Sequence, residues 1–383
     1  LFNYEAQASP LPDMSLPEIS DSALASVEIS LLTCKPHEEV YSLYGHTAIR
    51  IVDTEGGRDM VVNWGVFDSS KPNFVYHFIM GETDYMMAMV STEGFLREYY
   101  YYGSEVIQQK LNMTLQEKRN FLAILDEYSK PENRIYRYNF YYDNCTTRAR
   151  DVIVKAMEGK VEYLSWKNKQ ENETFRDLIH SKNADYPWCR WGNDFLLGLG
   201  SDAKMTHAER QFIPEMLEAD FDSAIVILPN GAEKPLVEST SILLPAGQSM
   251  AEPMVGFPLS PEACSVLFLI LVIVFTNCER FLIRKELKWF DYIVFNLLGL
   301  LGLLLVVMMF SEHPTVKLNF QIFLFCPLWL VLYSPFVTLR RKRMIALVII
   351  ELFLLGNFFQ SYAEGLNILA LSLLIRIVKN PKK

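Results

Sequence analysis

The pair Asn144–Cys145 stands where a β-rich run gives way to a helical pattern, and that position suits a reactive thiol. Asn144 is a good N-cap for a helix from Cys145 to about Glu158, closed by Gly159. A cysteine in the first turn of a helix feels the positive end of the helix dipole and nearby backbone N–H groups, which favour thiolate and can hold an oxyanion. Arg148 and Arg150 add positive charge nearby. A thiolate nucleophile needs a base, usually an imidazole on a rigid element, and residues 1–260 offer His37, His46, His77, His180 and His207. The run Tyr44–Gly45–His46–Thr47 puts His46 at the start of a strand. On the following strand Asn63 lies among apolar neighbours in Val61–Val62–Asn63–Trp64–Gly65, where an uncharged polar group can orient the ring. Singly, each residue is ordinary: a small cysteine at a helix start more often packs than reacts, and a lone histidine is usually a satisfied buried group. Together they form a thiol–imidazole–amide set suited to covalent chemistry at a carbonyl. No close-spaced His/Cys/carboxylate cluster points to zinc and no Gly-rich phosphate loop is present, so neither metal nor cofactor is expected.

The elements that must position this set form an α+β arrangement. Short β-rich runs, Val27–Thr33, Thr47–Val52, Met60–Phe67 and Phe74–Met80, are separated by turn material such as Thr54–Glu55–Gly56–Gly57 and predict a half-sheet. Thr114 with Glu117 makes a capping box before a helical pattern over 115–128, which Lys130–Pro131–Glu132–Asn133 ends. Tyr136–Tyr142 alternates as a strand, and Ala224–Leu228 is an apolar run. Residues 1–24, rich in Pro, Ser and acids, read as a linker.

Half of the 383 residues are apolar, but the average hides two materials. From Pro261 onward there are 13 Lys+Arg and 7 Asp+Glu, whereas residues 1–260 hold 23 and 38. The second part contains uncharged runs near the roughly 20 residues a helix needs to cross a bilayer, which excludes a soluble protein. The acidic first part argues against nucleic acid as a partner, since phosphate backbones need a basic face. Five spans are expected, over 263–278, 292–311, 318–339, 344–363 and about 363–379, with four as the fallback. With five, twelve basic residues (Arg280, Arg284, Lys285, Lys288; Arg340 to Arg343; Arg376, Lys379, Lys382, Lys383) fall on one side, which the positive-inside rule makes cytoplasmic. Residues 25–260 and the loop Glu312–Lys317 with His313 then face outward, into the periplasm of a bacterial inner membrane. The chain opens on Leu1, and a preceding signal peptide is expected. Glu351, the one acid inside an expected span, is matched in depth by Arg376, which predicts a pair between the fourth and fifth spans. Of the outward cysteines, a Cys34–Cys189 disulfide would leave Cys145 free; a bridge involving Cys145 itself is the alternative.

The stretches Ser30–Leu–Leu–Thr–Cys34, Tyr44–Gly–His–Thr–Ala–Ile–Arg50, Asn63–Trp–Gly–Val–Phe67 and Tyr136–Arg–Tyr–Asn–Phe–Tyr–Tyr–Asp–Asn–Cys–Thr–Thr–Arg–Ala–Arg–Asp151 resemble a Bacteroidota envelope family linked to lipoprotein N-acylation. The resemblance covers most of 25–245, and Glu312–His313–Pro314 with Asn319 looks like the family's membrane part. The order, a strand His well before an Asn–Cys that opens a helix, is also similar to circularly permuted papain-like proteins, including the lecithin:retinol acyltransferase family. The resemblance implies a papain-like thiol domain over 25–260 followed by an all-α membrane domain over 261–383. It implies Cys145 as nucleophile, His46 as general base and Asn63 as third member, with Tyr44, Asn144, Arg148, Arg150 and His313 toward the lipid substrate. The chain departs from the family pattern at Ser104, where a basic residue is expected. The implied reaction moves an acyl chain from a phospholipid donor, through a Cys thioester, to the α-amino group of a diacylglyceryl-cysteine lipoprotein. A papain-like hydrolase of phospholipid or cell-wall peptide, and a non-enzymatic sensor domain on a membrane anchor, remain open alternatives at this point.

Overall fold

The computed structural model describes residues 20–39, 42–67, 72–166, 172–252, 256–283, 286–313, 315–333 and 338–379. Most of the expected linker, Pro314, and the basic residues Arg284, Lys285, Lys382 and Lys383 lie outside them. The chain divides into two compact units, one of residues 1–172 and 205–254, the other of 173–204 and 255–383. The segment 173–204 groups with the helical C-terminal part that begins near residue 255.

In the first unit ten strands are described: β1 (Val27–Cys34), β2 (His46–Asp53), β3 (Arg58–Val66), β4 (Asp84–Ser91), β5 (Val106–Leu111), β6 (Ile135–Arg137), β7 (Lys160–Tyr163), β8 (Ala224–Ile227), β9 (Glu233–Pro235) and β10 (Val237–Leu244). Seven form one antiparallel sheet in the order β10-β5-β1-β2-β3-β4-β6, and β7-β8-β9 form a second. Because side chains alternate along a strand, β1 serves both faces. Ile29 and Leu31 join Ile49, Val62 and Trp64 beneath helices Leu115–Ser129 and Cys145–Ala156, which contribute Phe121, Leu125, Ala149, Val152 and Ile153. On the other face Leu32 and Cys34 meet Ala48, Val61, Phe95, Tyr99 and Val106. A strand buried on both faces reads as a continuous apolar run, as Ile29–Cys34 nearly does.

The helix at 115 forms with its expected capping box: Thr114 Oγ1 accepts from the Glu117 N–H at 3.1 Å and Glu117 Oε2 accepts from the Thr114 N–H at 2.8 Å. Two strand expectations are corrected. Phe74–Met80 is a short helix closed by Gly81 in the left-handed region at φ 71°; with seven residues, aromatic and β-branched composition cannot separate a strand from two helical turns. The strand expected over Tyr136–Tyr142 stops at Arg137, because Asn139 Oδ1 accepts from the N–H groups of Tyr141 and Tyr142 and folds the chain into a turn. The helix from Cys145 ends at Ala156, where Met157 turns to extended backbone, rather than at Gly159.

In the second unit, Pro261–Ile283 and Lys288–Met309 are long and apolar enough to cross a membrane, and Phe320–Leu332 and Leu366–Val378 are shorter apolar segments. Leu339–Gly356 begins on the basic run Arg340–Arg343. The third expected span is not one continuous helix: within 318–339 the described residues form a 3₁₀ turn, Phe320–Phe323, and a separate short helix, Leu328–Leu332. Pro327 between them has no N–H to continue a helix. Gly299 and Gly302 let this broken segment approach Lys288–Met309 closely, since a Cβ on Gly302 would lie 1.5 Å from the Phe325 carbonyl oxygen. The expected Glu351–Arg376 pair is also corrected. Arg376 is buried and donates to Asp291 at 2.6 Å and to both Glu279 oxygens at 2.9 and 3.0 Å, with Lys379 on the same two acids. Glu351 is exposed.

The segment 173–204 is held to the membrane helices by polar groups. Within the segment, buried Arg176 donates to Asp194 at 2.6 Å and to Asp202 at 3.0 Å. Gln321 and Asn319 donate to the carbonyls of Asp194 and Phe195 at 2.7 and 2.8 Å.

Candidate active site

The backbone opens a gap for the thiol. The β2–β3 ladder runs from Asp53↔Arg58 to Ile49↔Val62 and stops, and β3 changes register against β4 between Asn63 and Val66. His46, Thr47 and Ala48 keep their partners Cys34, Thr33 and Leu32 on β1. The ends of β2 and β3 therefore part, and the start of helix Cys145–Ala156 faces the space between them. Thr47 Oγ1 donates to Thr146 Oγ1 at 3.1 Å across this junction. Gly45, at φ 75°, lets β2 begin this close to β1; a Cβ there would lie 2.8 Å from the Cys34 carbonyl oxygen.

His46 is aligned from behind. Asn63 Oδ1 accepts from the Gly65 N–H at 2.7 Å, which fixes that atom as the amide oxygen. The same oxygen lies 2.9 Å from His46 Nε2, so Nε2 carries the proton and donates. Nδ1 is then left for the ring's hydrogen bond to Cys145. Gly65 completes the alignment by having no side chain: a Cβ there would lie 2.8 Å from His46 Cε1 and 3.1 Å from Asn63 Oδ1.

These contacts set the charge state. Burial pushes the Cys145 thiol up, but the His46 charge and hydrogen bond, the Thr47 backbone N–H and the Thr146 hydroxyl outweigh it and bring the thiol down to about 7. Burial pulls His46 down, and the Cys145 charge, its hydrogen bond and the Asn63 contact more than restore it, so the imidazole is raised. An imidazolium–thiolate pair at neutral pH is the arrangement that attacks acyl carbons. Asn144 Oδ1 accepts from the Thr146 and Thr147 N–H groups at 2.9 Å each, and Asn144 O accepts from Arg148. The first-turn N–H left to hold an oxyanion is that of Cys145 itself.

The structure thus brings Cys145, His46 and Asn63 together. Asn144 is the N-cap, its Nδ2 donating to the carbonyls of Phe140 and Phe212 at 3.0 and 2.8 Å. Tyr44 packs edge-on against Phe140 at 5.0 Å. Arg148 is bidentate on Asp143, at 2.5 and 2.7 Å, and lies over the Tyr136 ring. Arg150 donates to Asp151 and to the Ala208 carbonyl. Neither arginine is among the groups that set the Cys145 charge. Ser104, buried, donates to the Lys35 carbonyl at 2.5 Å. His77, on the short helix, lies 3.0 Å from Glu82. His313 lies in the second unit. Cys34, Cys145 and Cys189 are all free, so neither of the two pairings left open by the sequence is formed; Cys34 is buried in β1, where burial raises its thiol. Sequence reasoning assigned no role to Thr47, Thr146 or Gly65, although Thr47 and Thr146 adjoin His46 and Cys145 and Gly65 lies two residues from Asn63. Among the described residues no His/Cys/Asp/Glu group is arranged to hold a metal ion.

Residues 19–181 match the Lnb N-terminal periplasmic domain and residues 252–382 match the Lnb transmembrane domain. The two matches assign a periplasmic N-terminal part and a membrane-embedded C-terminal part, the sidedness read from the basic residues. No curated protein and no solved structure matches the chain.

Proposed function

The chain belongs to the Lnb family, and we propose that it is a lipoprotein N-acyltransferase of the inner membrane, with Cys145, His46 and Asn63 as its catalytic set on a circularly permuted papain-like scaffold. The observation that carries this reading is the Cys145 thiol at a helix N-terminus, lowered to about 7 by the His46 ring that Asn63 and Gly65 hold in place. The Cys145 thiolate attacks the ester carbonyl of a phospholipid. The carbon–sulfur bond forms, the carbon–oxygen bond breaks, and the Nδ1 proton of His46 passes to the leaving oxygen to give lysophospholipid. The neutral α-amino group of a diacylglyceryl-cysteine lipoprotein then attacks the thioester. The carbon–nitrogen bond forms, Nδ1 takes the amine proton, and the thiolate departs, restoring the pair. The Cys145 N–H faces the oxyanion in both halves. Both substrates are held in the bilayer, and joining the thiol domain to membrane helices keeps it at high effective concentration beside them.

Mass spectrometry of lipoproteins from cells carrying wild type or Cys145→Ser tests the reading. Triacylated N-termini are expected with the wild type and diacylated ones with the variant. Near-wild-type N-acylation by Cys145→Ser would overturn it, and release of free fatty acid without acylated amine would assign a hydrolase instead.

A further inference from the structure

A row of aromatic rings leads from the surface of the first unit to the thiol. The helix Phe74–Met80 contains no Lys, Arg, Asp or Glu, and Tyr76 and Phe78 on it are 56% and 55% exposed. Phe78 lies 6.1 Å from Phe74, Phe74 stacks on Phe67 at 5.7 Å, and Phe67, itself 43% exposed, lies 4.9 Å from Tyr85. Tyr85 stacks on Tyr138 at 4.1 Å. Tyr85, Tyr138 and Cys145 are half-buried against the same apolar core, and both phenols lie within electrostatic reach of the Cys145 sulfur. Three large aromatic side chains this exposed, two of them on a helix without Lys, Arg, Asp or Glu, are an unfavourable surface for water.

The geometry points to this row as the path by which the acyl chain of a bilayer phospholipid reaches Cys145, with the helix Phe74–Met80 meeting the lipid surface. The inference rests on the acyl-transfer reading and names the element that admits its donor. Lipid is the fitting occupant for two reasons. The chain is embedded in a membrane through its other part, and tyrosine beside phenylalanine without charge is the composition that settles at a membrane interface. A path lined by rings offers an acyl chain apolar contact along its length, whereas the phosphate headgroup finds no cation on that helix and stays at the surface.

The test uses the full-length protein in phosphatidylethanolamine vesicles. Thioester formation on Cys145 is measured with long-chain phospholipid and with a short-chain water-soluble ester, p-nitrophenyl butyrate, in wild type and in the double variant Phe67→Ser/Phe78→Ser. The ratio of the long-chain to the short-chain rate is expected to fall at least ~10-fold, since each lost ring removes apolar contact that only the long chain makes. An unchanged ratio overturns the path. Independently, benzoylphenylalanine at position 76, irradiated in the same vesicles, is expected to capture phospholipid, and failure to do so overturns the lipid contact. If the wild type forms a thioester with neither ester, the acyl-transfer reading falls, while the crosslink still decides whether this helix meets lipid.

Discussion

Replacing His46 by Ala separates two roles that the geometry gives one ring. In the wild type the Cys145 thiol titrates near about 7, against 9.0 for an ordinary thiol. The imidazole supplies the largest lowering influence, and burial, the largest influence of all, acts upward. Without the ring, only the Thr47 N–H and the Thr146 hydroxyl oppose that burial, so the thiol is expected to rise back toward the 9.0 of an ordinary thiol. At pH 7 the thiolate fraction then falls from about one half to about one in a hundred, roughly 50-fold. The more basic thiolate is intrinsically the better nucleophile: a Brønsted slope of 0.4–0.5 over two pKa units returns roughly 6- to 10-fold. The rate of iodoacetamide labelling of Cys145 at pH 7 should therefore fall only ~5- to 8-fold. The sign is fixed by the ionisation: labelling rises with pH through about 7 in the wild type and levels off, while the variant keeps rising and overtakes it above about pH 8. Acyl transfer should fall far more, by a further ~10²–10⁴, because the leaving oxygen and the incoming amine also lose their proton partner. The assay is the labelling rate from pH 5 to 10, read by intact-protein mass, beside N-acylation of a lipopeptide. A variant whose labelling midpoint stays near 7 would refute the assignment of His46 as the partner that makes the thiolate.

Gly65→Ala places a methyl group 2.8 Å from His46 Cε1; the ring must shift, and transfer should drop ~10²-fold while unfolding changes by only about 1–3 kcal/mol. Its labelling midpoint should move upward with the displaced ring, and wild-type values for both transfer and midpoint would remove Gly65 from the site. In the membrane part, Arg376→Ala leaves Glu279 and Asp291 with Lys379 as their remaining cation and should cost up to about 3 kcal/mol, seen as a loss of inserted protein, whereas Glu351→Gln at its exposed position should stay within about 0.5 kcal/mol of the wild type. The reverse order of the two would reinstate the pairing expected from depth alone.

What could be read from the sequence was whatever depends on neighbours along the chain. The Thr114–Glu117 capping box, the Asn144 cap and the helix from Cys145 follow from residues within four positions of one another, and all three form. Depth arithmetic also put Arg376 near a buried acid, but two acids, Glu279 and Asp291, lay at that depth on other helices, and helix rotation decided among them. Phe74–Met80 and 318–339 were misread for a shared reason: composition reports that a run is apolar and leaves open whether it lies in a sheet, in a short helix or across a bilayer. In the second case the missing information sat in Pro327 and in the glycines of a different helix, Gly299 and Gly302.

The site shows the same division at closer range. The atoms of the proposed site were legible because Cys145 and His46 are chemically conspicuous, but what brings them together is a ladder that ends early. Had β2 and β3 stayed paired to their tips, Thr47 would stand opposite Trp64 and His46 opposite Gly65, extrapolating from Ile49↔Val62. A closed ladder leaves no room for the start of a helix between its strands. At the parted ends the Thr47 N–H reaches the sulfur and the Gly65 N–H turns onto Asn63. Both of these N–H groups thereby find a partner in the proposed site rather than going unpaired. A substitution that restored β2–β3 pairing there would stabilise the sheet and disable the thiol together, which is why a strand end, and not the middle of the sheet, is where this fold can hold an imidazole against a cysteine.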